Sequence, residues 1–263
     1  MDNPCSFVDL HSHLLPGLDD GAEDWETFLD IARYSVENGV STMAATSHCD
    51  SENLPDKEDY LKTFDQAVSL LKTRGIGLRI EMGSEIAMGP STGSLIESGD
   101  LIPIGHTNYY LVELPFTQLP IYANKALYAI ILAGARPILA HPERYAYTDP
   151  KSEFFRWAAG NGVLFQINAA SIIGKNGGRA KKLAKKMIRK GMAHLVASDC
   201  HNAHDRPQTM PRAFKAIEAE FGEAKARELF CLNPGTILIN KSVETMEINT
   251  GVWRKKFSFW KKY

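Results

Sequence analysis

Apolar positions recur along the chain in two patterns. Short runs rich in Val, Ile, Leu and Phe are typical of buried strands, and stretches with apolar residues every three or four positions are typical of amphipathic helices. Seven runs predict strands, within "FVDLHSH", "VSTMAATSH", "GLRIEMGSE", "YYLVELP", "RPILAHPER", "GVLFQINAA" and "AHLVASDCH". Helical stretches separate them, the first with Asp24 as its N-cap and Gly39 as its stop. The alternation predicts a single α/β domain, because no linker-like segment divides it.

Polar side chains stand at the C-terminal ends of the predicted strands. In chain order they are His11 and His13, His48, Glu85, Glu113, His141, Asn168, and Asp199 with His201. In a closed parallel barrel all strand ends open on one face, so these groups would meet there. Any one of these histidines alone would be interpreted as a hydrogen-bonded core residue. Metal-ligand side chains at six of seven strand ends make that interpretation improbable for the whole set.

The side-chain types favour a metal centre. Histidines mixed with carboxylates suit Zn, Mn or Fe. His11 and His13 alternate along a strand with one residue between them, so both rings can point the same way. The candidate ligands are too many for one ion, which predicts two or three divalent ions with Glu85 as a bridging carboxylate. Neighbouring ions ~3.5–4 Å apart can activate water and hold both ends of an in-line displacement at phosphorus.

Two arginines lie beside these candidate ligands, Arg144 in "HPER" and Arg206 in "DCHNAHDR". A guanidinium group presents a planar fork of donors that matches phosphate oxygens. The alternative for Arg206 is a surface ion pair with its neighbour Asp205. The position of both arginines just after ligand-bearing strand ends favours phosphate binding.

Composition narrows the class of protein. The 263 residues are 44% hydrophobic and 23% charged, an ordinary balance for a soluble globular protein. A formal net charge of −1 provides no general field for nucleic acid, so we expect no nucleic-acid partner. No segment has the apolar length of a membrane helix, and the N-terminus does not read as a secretory signal. Four dispersed cysteines without a C-x-x-C pair favour a cytoplasmic location.

Several motifs together resemble a known family. H-x-H near the N-terminus, "TSH", a lone Glu after the third strand, "AHPERY" and a late D-x-H are similar to the polymerase-and-histidinol-phosphatase (PHP) domain. More narrowly, "DLHSHLLPGLDDGAED", "GSEI", "HPERY" and "SDCHN" resemble the bacterial manganese-dependent protein-tyrosine phosphatases of capsule and exopolysaccharide operons. The resemblance covers residues 7 to 240 approximately and implies a distorted (β/α)7 TIM-like barrel, the PHP fold, which we assign to residues 1–250.

The resemblance also implies a site with up to three ions, Mn first and Fe or Zn as alternatives. One ion would be held by His11, His13, Glu85 and Asp199, a second by Glu85, Glu113 and His141, and a third by Asp19 or Asp20 with His48 and His201. Asp199 and His201 would join Arg144 and Arg206 as catalytic residues. The implied substrate is the phosphorylated tyrosine cluster of a membrane-associated bacterial autokinase that controls polysaccharide synthesis.

Other functions remain open from the sequence. Cys200 and Arg206 fit C-x5-R, the signature of thiol-dependent tyrosine phosphatases, but the loop has no glycine and carries Asp205. Strand alternation also turns Cys200 away from the side taken by Asp199 and His201, so we interpret the match as a coincidence. A small-molecule phosphomonoesterase, such as a histidinol phosphatase, would share the barrel and its ligands. A third hypothesis is a metal-binding module without catalytic activity, which the intact ligand set disfavours. An amidohydrolase would need a bridging lysine where Glu85 stands.

Two basic segments lie outside this pattern. "GGRAKKLAKKMIRKG" carries seven basic residues and no acid, which is typical of a solvated outer helix face, although an acidic kinase tail could use it. Residues 251–263 combine five positive charges with aromatic residues. They are either a tail that packs on the barrel or a weak contact with an anionic membrane. The sequence is also compatible with a homo-oligomer.

Overall fold

The structure is a computed structural model, and it describes residues 6–51 and 54–244. Each of its strands is parallel to the strands that it pairs with. They are β1 (Phe7–Ser12), β2 (Val40–Ala45), β3 (His48–Asp50), β4 (Arg79–Met82), β5 (Glu85–Ala87), β6 (Tyr109–Glu113), β7 (Arg136–Leu139), β8 (Leu164–Asn168) and β9 (Leu195–Ala197). A three-stranded sheet has the order β1-β2-β4, and a six-stranded sheet has the order β3-β5-β6-β7-β8-β9.

The two sheets follow one another around a barrel-like ring. Two residues lie between the end of β2 and the start of β3, and two lie between β4 and β5. These four short strands are therefore the two halves of two predicted strands, which accounts for seven strand positions. On the far side the N–H of Asp199 donates to the carbonyl of His11 at 2.9 Å. The N–H of His13 donates to the carbonyl of Cys200 at 2.9 Å, so the strand after β9 lies against β1.

Helices cover the outside of the strands. They are α1 (Trp25–Glu37), α2 (Lys57–Thr73), α3 (Thr92–Glu97), α4 (Ala123–Leu132), α5 (Glu153–Gly160), α6 (Ala169–Ile173), α7 (Gly177–Arg189), α8 (Met210–Phe221), α9 (Glu223–Arg227) and α10 (Asn233–Leu238), with a 3-10 turn at Pro142–Arg144 and a π-helical turn at Glu228–Leu232. The predicted ends of α1 are confirmed. Asp24 accepts from the N–H of Thr27 at 2.8 Å, and Gly39 takes a positive φ of 81°.

The interior beneath the strand ends is apolar. Leu10, Ala44, Leu111, Ile138 and Leu195 come from five different strands, and all are at most 1% exposed in one cluster. Filling a parallel barrel with layers of such side chains makes its interior a packed core. Polar groups at the ligand-bearing end of the strands therefore border a region of low dielectric constant, where charges interact strongly.

The predicted fold class agrees with this architecture of parallel strands and covering helices. The predicted boundary between the barrel and the tail at residues 250 and 251 lies outside the described residues. Among the described residues, no helix combines the length and apolar character that crossing a bilayer requires.

Candidate metal centre

The centre begins with two imidazoles, His11 in β1 and His13 directly after it. Strand alternation turns His11 and His13 to the same side, and their Nε2 atoms lie 3.2 Å apart. Both face Glu85, whose Oε2 lies 3.1 Å from Nε2 of His11 and 3.2 Å from Nε2 of His13. All three side chains are buried. They form one of three groups of ligand atoms close enough together to share an ion.

A second group uses the other oxygen of Glu85. Oε1 of Glu85 lies 2.9 Å from Nε2 of His141, and Oε1 of Glu113 lies 3.3 Å from the same nitrogen. Glu85, at the start of β5, thus has one carboxylate oxygen in each group. This is the arrangement expected of a carboxylate that bridges two ions.

A third group lies at the mouth of the site and contains His13, Asp20, His48 and His201. Oδ1 of Asp20 lies 3.3 Å from Nε2 of His201 and 3.5 Å from Nε2 of His48. Asp20 and His48 are exposed, whereas His201 is buried. This group is therefore the most accessible of the three to solvent.

The structure separates the two adjacent acids that the sequence left as alternatives. Asp20 belongs to the third group, whereas Oδ2 of Asp19 lies 2.7 Å from Nδ1 of His13, on the side of the ring away from the other ligands. Asp19 also accepts from the N–H groups of Gly21 and His48 at 2.9 and 3.0 Å. A β-carbon at Gly21 would lie 2.1 Å from the carbonyl oxygen of His13, so only glycine permits this loop. Asp19 positions His13 as a carboxylate behind a metal-binding histidine does.

Asp199 connects the ligand groups to the two predicted arginines. Its Oδ1 lies 3.7 and 3.6 Å from Nε2 of His11 and His13. Arg206 donates to Oδ1 at 2.8 Å and Arg144 donates to Oδ2 at 2.8 Å. Both guanidinium groups therefore lie at the site, and the structure shows no ion pair between Arg206 and Asp205 among the described residues.

The charges of the cluster are strongly coupled. Burial alone would raise the pKa of Glu85, but the charges and hydrogen bonds of His11, His13 and His141 outweigh it and hold that pKa well below its usual range. Burial and the negative charge of Glu85 raise the pKa of Glu113 to about 8.

The pKa values of two neighbouring imidazoles, His13 and His201, shift in opposite directions. Burial would lower the pKa of His13, yet hydrogen bonds to Asp19 and Glu85 raise it to about 10. Burial and then the positive charge of His13 lower the pKa of His201 to about 4. The pKa of one ring is therefore raised and that of its neighbour is lowered. Divalent cations would replace the protons and let every ring bind as a neutral ligand.

The donor set fits divalent ions on this geometry. The Nε2 atoms of His11 and His13 point at each other and at a carboxylate oxygen, an arrangement in which at most one ring can donate to the other. An ion between them would satisfy both nitrogens at once. The nitrogen and oxygen ligands suit Zn, Mn or Fe, as the sequence predicted.

Sequence reasoning missed the residues that orient this centre from behind. Oε1 of Gln166 lies 3.0 Å from Nδ1 of His11 and accepts from the backbone N–H of His141 at 3.1 Å. Asn168, predicted only as a strand end, donates to Oδ2 of Asp199 at 2.7 Å. These polar side chains face inward on β8 among apolar neighbours, and that unusual pattern was the available signal.

Asp9 is a further buried carboxylate that does not belong to a ligand group. It accepts from the N–H of Ser198 at 3.0 Å and from Nε2 of Gln208 at 2.7 Å. Burial raises its pKa although these hydrogen bonds oppose the shift. Asp9 therefore fastens the segment that carries Asp199 and His201 to β1.

Cys200 lies away from the ligands, as expected from strand alternation. It is 1% exposed and packs in an apolar cluster with residues of β1 and β2. Burial, followed by the charge of Asp9, raises the pKa of the Cys200 thiol far above its usual range. A thiol of this kind is a poor nucleophile at neutral pH. The C-x5-R match is therefore a coincidence of sequence.

Comparison with known proteins places the chain among capsule-synthesis phosphatases. The family model for capsular polysaccharide synthesis, CpsB/CapC, matches residues 7–239. Tyrosine-protein phosphatase YwqE from Bacillus subtilis is 28% identical over 96% of this chain and 100% of its own length. Tyrosine-protein phosphatase CpsB from Streptococcus pneumoniae is 28% identical over 90% of this chain and 100% of its own length.

A solved structure of related tyrosine phosphatases superposes closely on this chain. A crystal structure from the work on YwqE and CpsB, described as metal-dependent tyrosine phosphatases, superposes with a TM-score of 0.86 at 29% identity, over 91% of this chain and 97% of the other. A histidinol phosphate phosphatase from Lactococcus lactis has a TM-score of 0.50 at 13% identity and covers 84% of this chain and 94% of its own. That second likeness concerns the fold alone.

The contacts of Gln166 lead to a first prediction. Gln166→Leu keeps much of the side-chain volume but removes the oxygen that orients His11 and holds the backbone of His141. Loss of such a supporting group typically weakens metal affinity by about 10–100-fold. We expect this loss in metal titrations monitored by calorimetry, with the circular dichroism spectrum unchanged. Unaltered metal affinity in a folded variant would mean that Gln166 does not orient the ligands.

Proposed function

Because this chain belongs to the CpsB/CapC family of capsular polysaccharide synthesis, we propose that it is a metal-dependent protein-tyrosine phosphatase. One observation carries the proposal. Three groups of metal-ligand atoms and two arginines, Arg144 and Arg206, meet around Glu85 and Asp199. Metal-dependent hydrolysis of a phosphate monoester uses this combination, because it offers ion sites and donors for the phosphoryl oxygens together.

We assign the ligands by the three groups. His11, His13 and Glu85, with Asp199 beside them, would hold one ion, and Glu85, Glu113 and His141 a second. Asp20, His48 and His201, with His13 adjacent, would hold a third, for which Asp20 is preferred to Asp19. We propose manganese as the native metal, with iron or zinc as alternatives. Bound ions would supply an activated water and Lewis-acid stabilisation of the phosphoryl group.

The protein's own side chains would orient the substrate. Arg144 and Arg206 each hold one oxygen of Asp199 and can turn their remaining N–H donors toward a phosphoryl group. The phenolate that leaves has a pKa near ~10, so its departure needs little help from a general acid. We assign Asp199 and His201 to this catalytic set because both contact the ligand cluster.

One exposed aromatic side chain favours an aryl phosphate over an alkyl phosphate. The ring of Phe116 is 38% exposed, stacks on the His141 ring at 5.5 Å, and lies under the Arg144 guanidinium at 4.9 Å. A phenyl ring bound through its phosphate at Arg144 would find an apolar neighbour there. In histidinol phosphate an alkyl chain separates the phosphate from the imidazole ring, so that ring would lie farther from a phosphate bound at Arg144 than the phenyl ring of phosphotyrosine, which carries its phosphate directly.

The biological setting is also a proposal. We infer a cytoplasmic enzyme whose phosphotyrosine substrate is a membrane-associated tyrosine kinase of capsule or exopolysaccharide synthesis. Residues 251–263, with their proposed membrane contact, lie outside the described residues, and self-association remains a prediction.

Chelation and a cysteine substitution together test the chemistry. We expect chelator treatment to abolish hydrolysis of an aryl phosphate and added Mn to restore it, with Zn and Mg compared. Cys200→Ser should retain most of the activity, because the thiol is buried away from the ligands. If Cys200→Ser lost activity with normal metal content and a normal melting temperature, the thiol would be the nucleophile and the metal-dependent proposal would be wrong.

The arginines provide a second test. Arg144→Ala and Arg206→Ala should each lower kcat by about 10²–10³-fold, the typical effect of removing one donor to a developing negative charge. Metal content, measured by elemental analysis, should stay normal. Arg33→Ala is the matched control, since Arg33 is exposed and pairs with Asp30 on α1. A fall in metal content in the Arg144 or Arg206 variants would assign these arginines to support of Asp199 instead.

Substrate preference distinguishes the two phosphatase classes. We expect a higher kcat/KM for a phosphotyrosine peptide than for histidinol phosphate in the wild-type protein. Phe116→Ala should reduce this ratio by about fivefold, the value of one aromatic pair of roughly 1 kcal/mol. Phe116→Tyr should preserve the ratio, because it keeps the ring. A wild-type preference for histidinol phosphate would instead support the small-molecule enzyme.

A further inference from the structure

A groove lined by positive charge lies next to the candidate site. It has a volume of about 400 Å³ and is lined by Thr148, Gly178, Arg179, Lys182, Leu183 and Lys186. Three of these described lining residues are cationic and none is acidic. We call this surface, between α7 and the segment after the 3-10 turn, the basic groove.

The basic groove is joined to the turn that carries Arg144. The hydroxyl of Thr148 donates to the carbonyl of Pro142, at the start of that turn. Arg179 donates to the carbonyl of Ala146 at 2.7 Å. Thr148 is four positions after Arg144, and a chain of this length spans at most about 14 Å. A peptide whose phosphate meets Arg144 can therefore reach the groove with a neighbouring side chain.

The positive charge of α7 is not explained by stability of the helix. Its first turn contains no acid and includes Arg179, where the helix dipole disfavours a cation. Lys185 and Arg189 pair with Glu220, on the flank toward α8. Lys186 lies 3.4 Å from Asp149.

The cations nearer the turn are left without such neutralisation. Within the described part of the chain, no carboxylate forms an ion pair with Arg179 or Lys182. Lys182 is exposed, so its charge is available to a ligand.

We propose that the basic groove binds acidic side chains that flank the phosphotyrosine of the protein substrate. The proposal rests on the proposed phosphatase function and adds a preference for acidic sequence to it. Lysine ammonium groups on flexible stems suit carboxylates at variable positions better than one fixed geometry. Leu183, which also lines the groove, offers apolar contact for the methylene groups of Asp or Glu.

Matched peptides and variants test the groove. Two phosphotyrosine peptides would differ only in flanking Asp and Glu, replaced in the second by Asn and Gln. The wild-type protein loaded with Mn should show a higher kcat/KM on the acidic peptide, mainly through a lower KM. Lys182→Gln should reduce this preference by about threefold, the scale of one exposed ion pair. Its turnover of a small aryl phosphate should not change.

Lys190→Gln is the control, because Lys190 is an exposed cation at the C-cap of the same helix but outside the groove. It should keep the full preference. The preference of the wild-type protein should also decline as salt is added. Peptide affinities measured by fluorescence anisotropy decide the role of the groove independently of turnover.

Three outcomes would overturn the groove as a substrate site. These are equal affinity of the wild-type protein for both peptides, an equal loss in Lys190→Gln, or a peptide preference that Lys182→Gln leaves intact. Loss of binding to phosphatidylserine vesicles in Lys182→Gln, with that preference intact, would assign the surface to a membrane. If the loaded protein bound the acidic peptide but hydrolysed neither peptide, the phosphatase proposal would fail while the groove remained.

Discussion

The architecture depends on the burial of one carboxylate, Glu85. Burying an ionised carboxylate is costly unless charged or hydrogen-bonding partners compensate it. Glu85 is 1% exposed, and both of its oxygens lie within 3.3 Å of imidazole nitrogens, from His11, His13, His48 and His141. These partners lie in β1 and directly after it, at the start of β3, and two residues beyond the end of β7. A shift of one residue in any of these strands would turn a ring away from Glu85. The register of the strands and the charge of the centre therefore stabilise each other.

The sequence was most informative about the side chains that follow apolar runs, because parallel strands of a barrel bring such positions to one face. His11, His48, Glu85, Glu113, His141 and Asp199 were predicted to converge because they all follow apolar runs, and the structure brings them together. The repetition mattered more than any single residue. The short helices α3, α6, α9 and α10 were not predicted, because five or six residues are too few to display a helical period.

Other features depend on contacts that no local pattern encodes. Asp19 and Asp20 are adjacent and chemically alike, and only the turn closed by Gly21 assigns one to the back of His13 and the other to the mouth. Gln166 was not identified because a polar residue inside a strand shows its partners only in three dimensions. Two predicted strands are each divided in the structure, into β2 with β3 and into β4 with β5, and the two parts of each pair with different sheets, which a run of apolar residues does not indicate.

Asp199 couples recognition of phosphate to the metal ligands. It takes a positive φ of 54°, and His141 one of 30°, conformations that non-glycine residues adopt at a cost of about 1–3 kcal/mol when surrounding contacts hold them. Asn168 and the two arginines supply such contacts for Asp199. Asp199 and Asp20 together offset the charges of the two guanidinium groups, which leaves no excess positive charge here for a phosphate dianion. Ions bound at the neighbouring ligands would supply that positive charge. Binding of ions and of substrate should consequently reinforce each other, since each completes the charge balance that the other lacks.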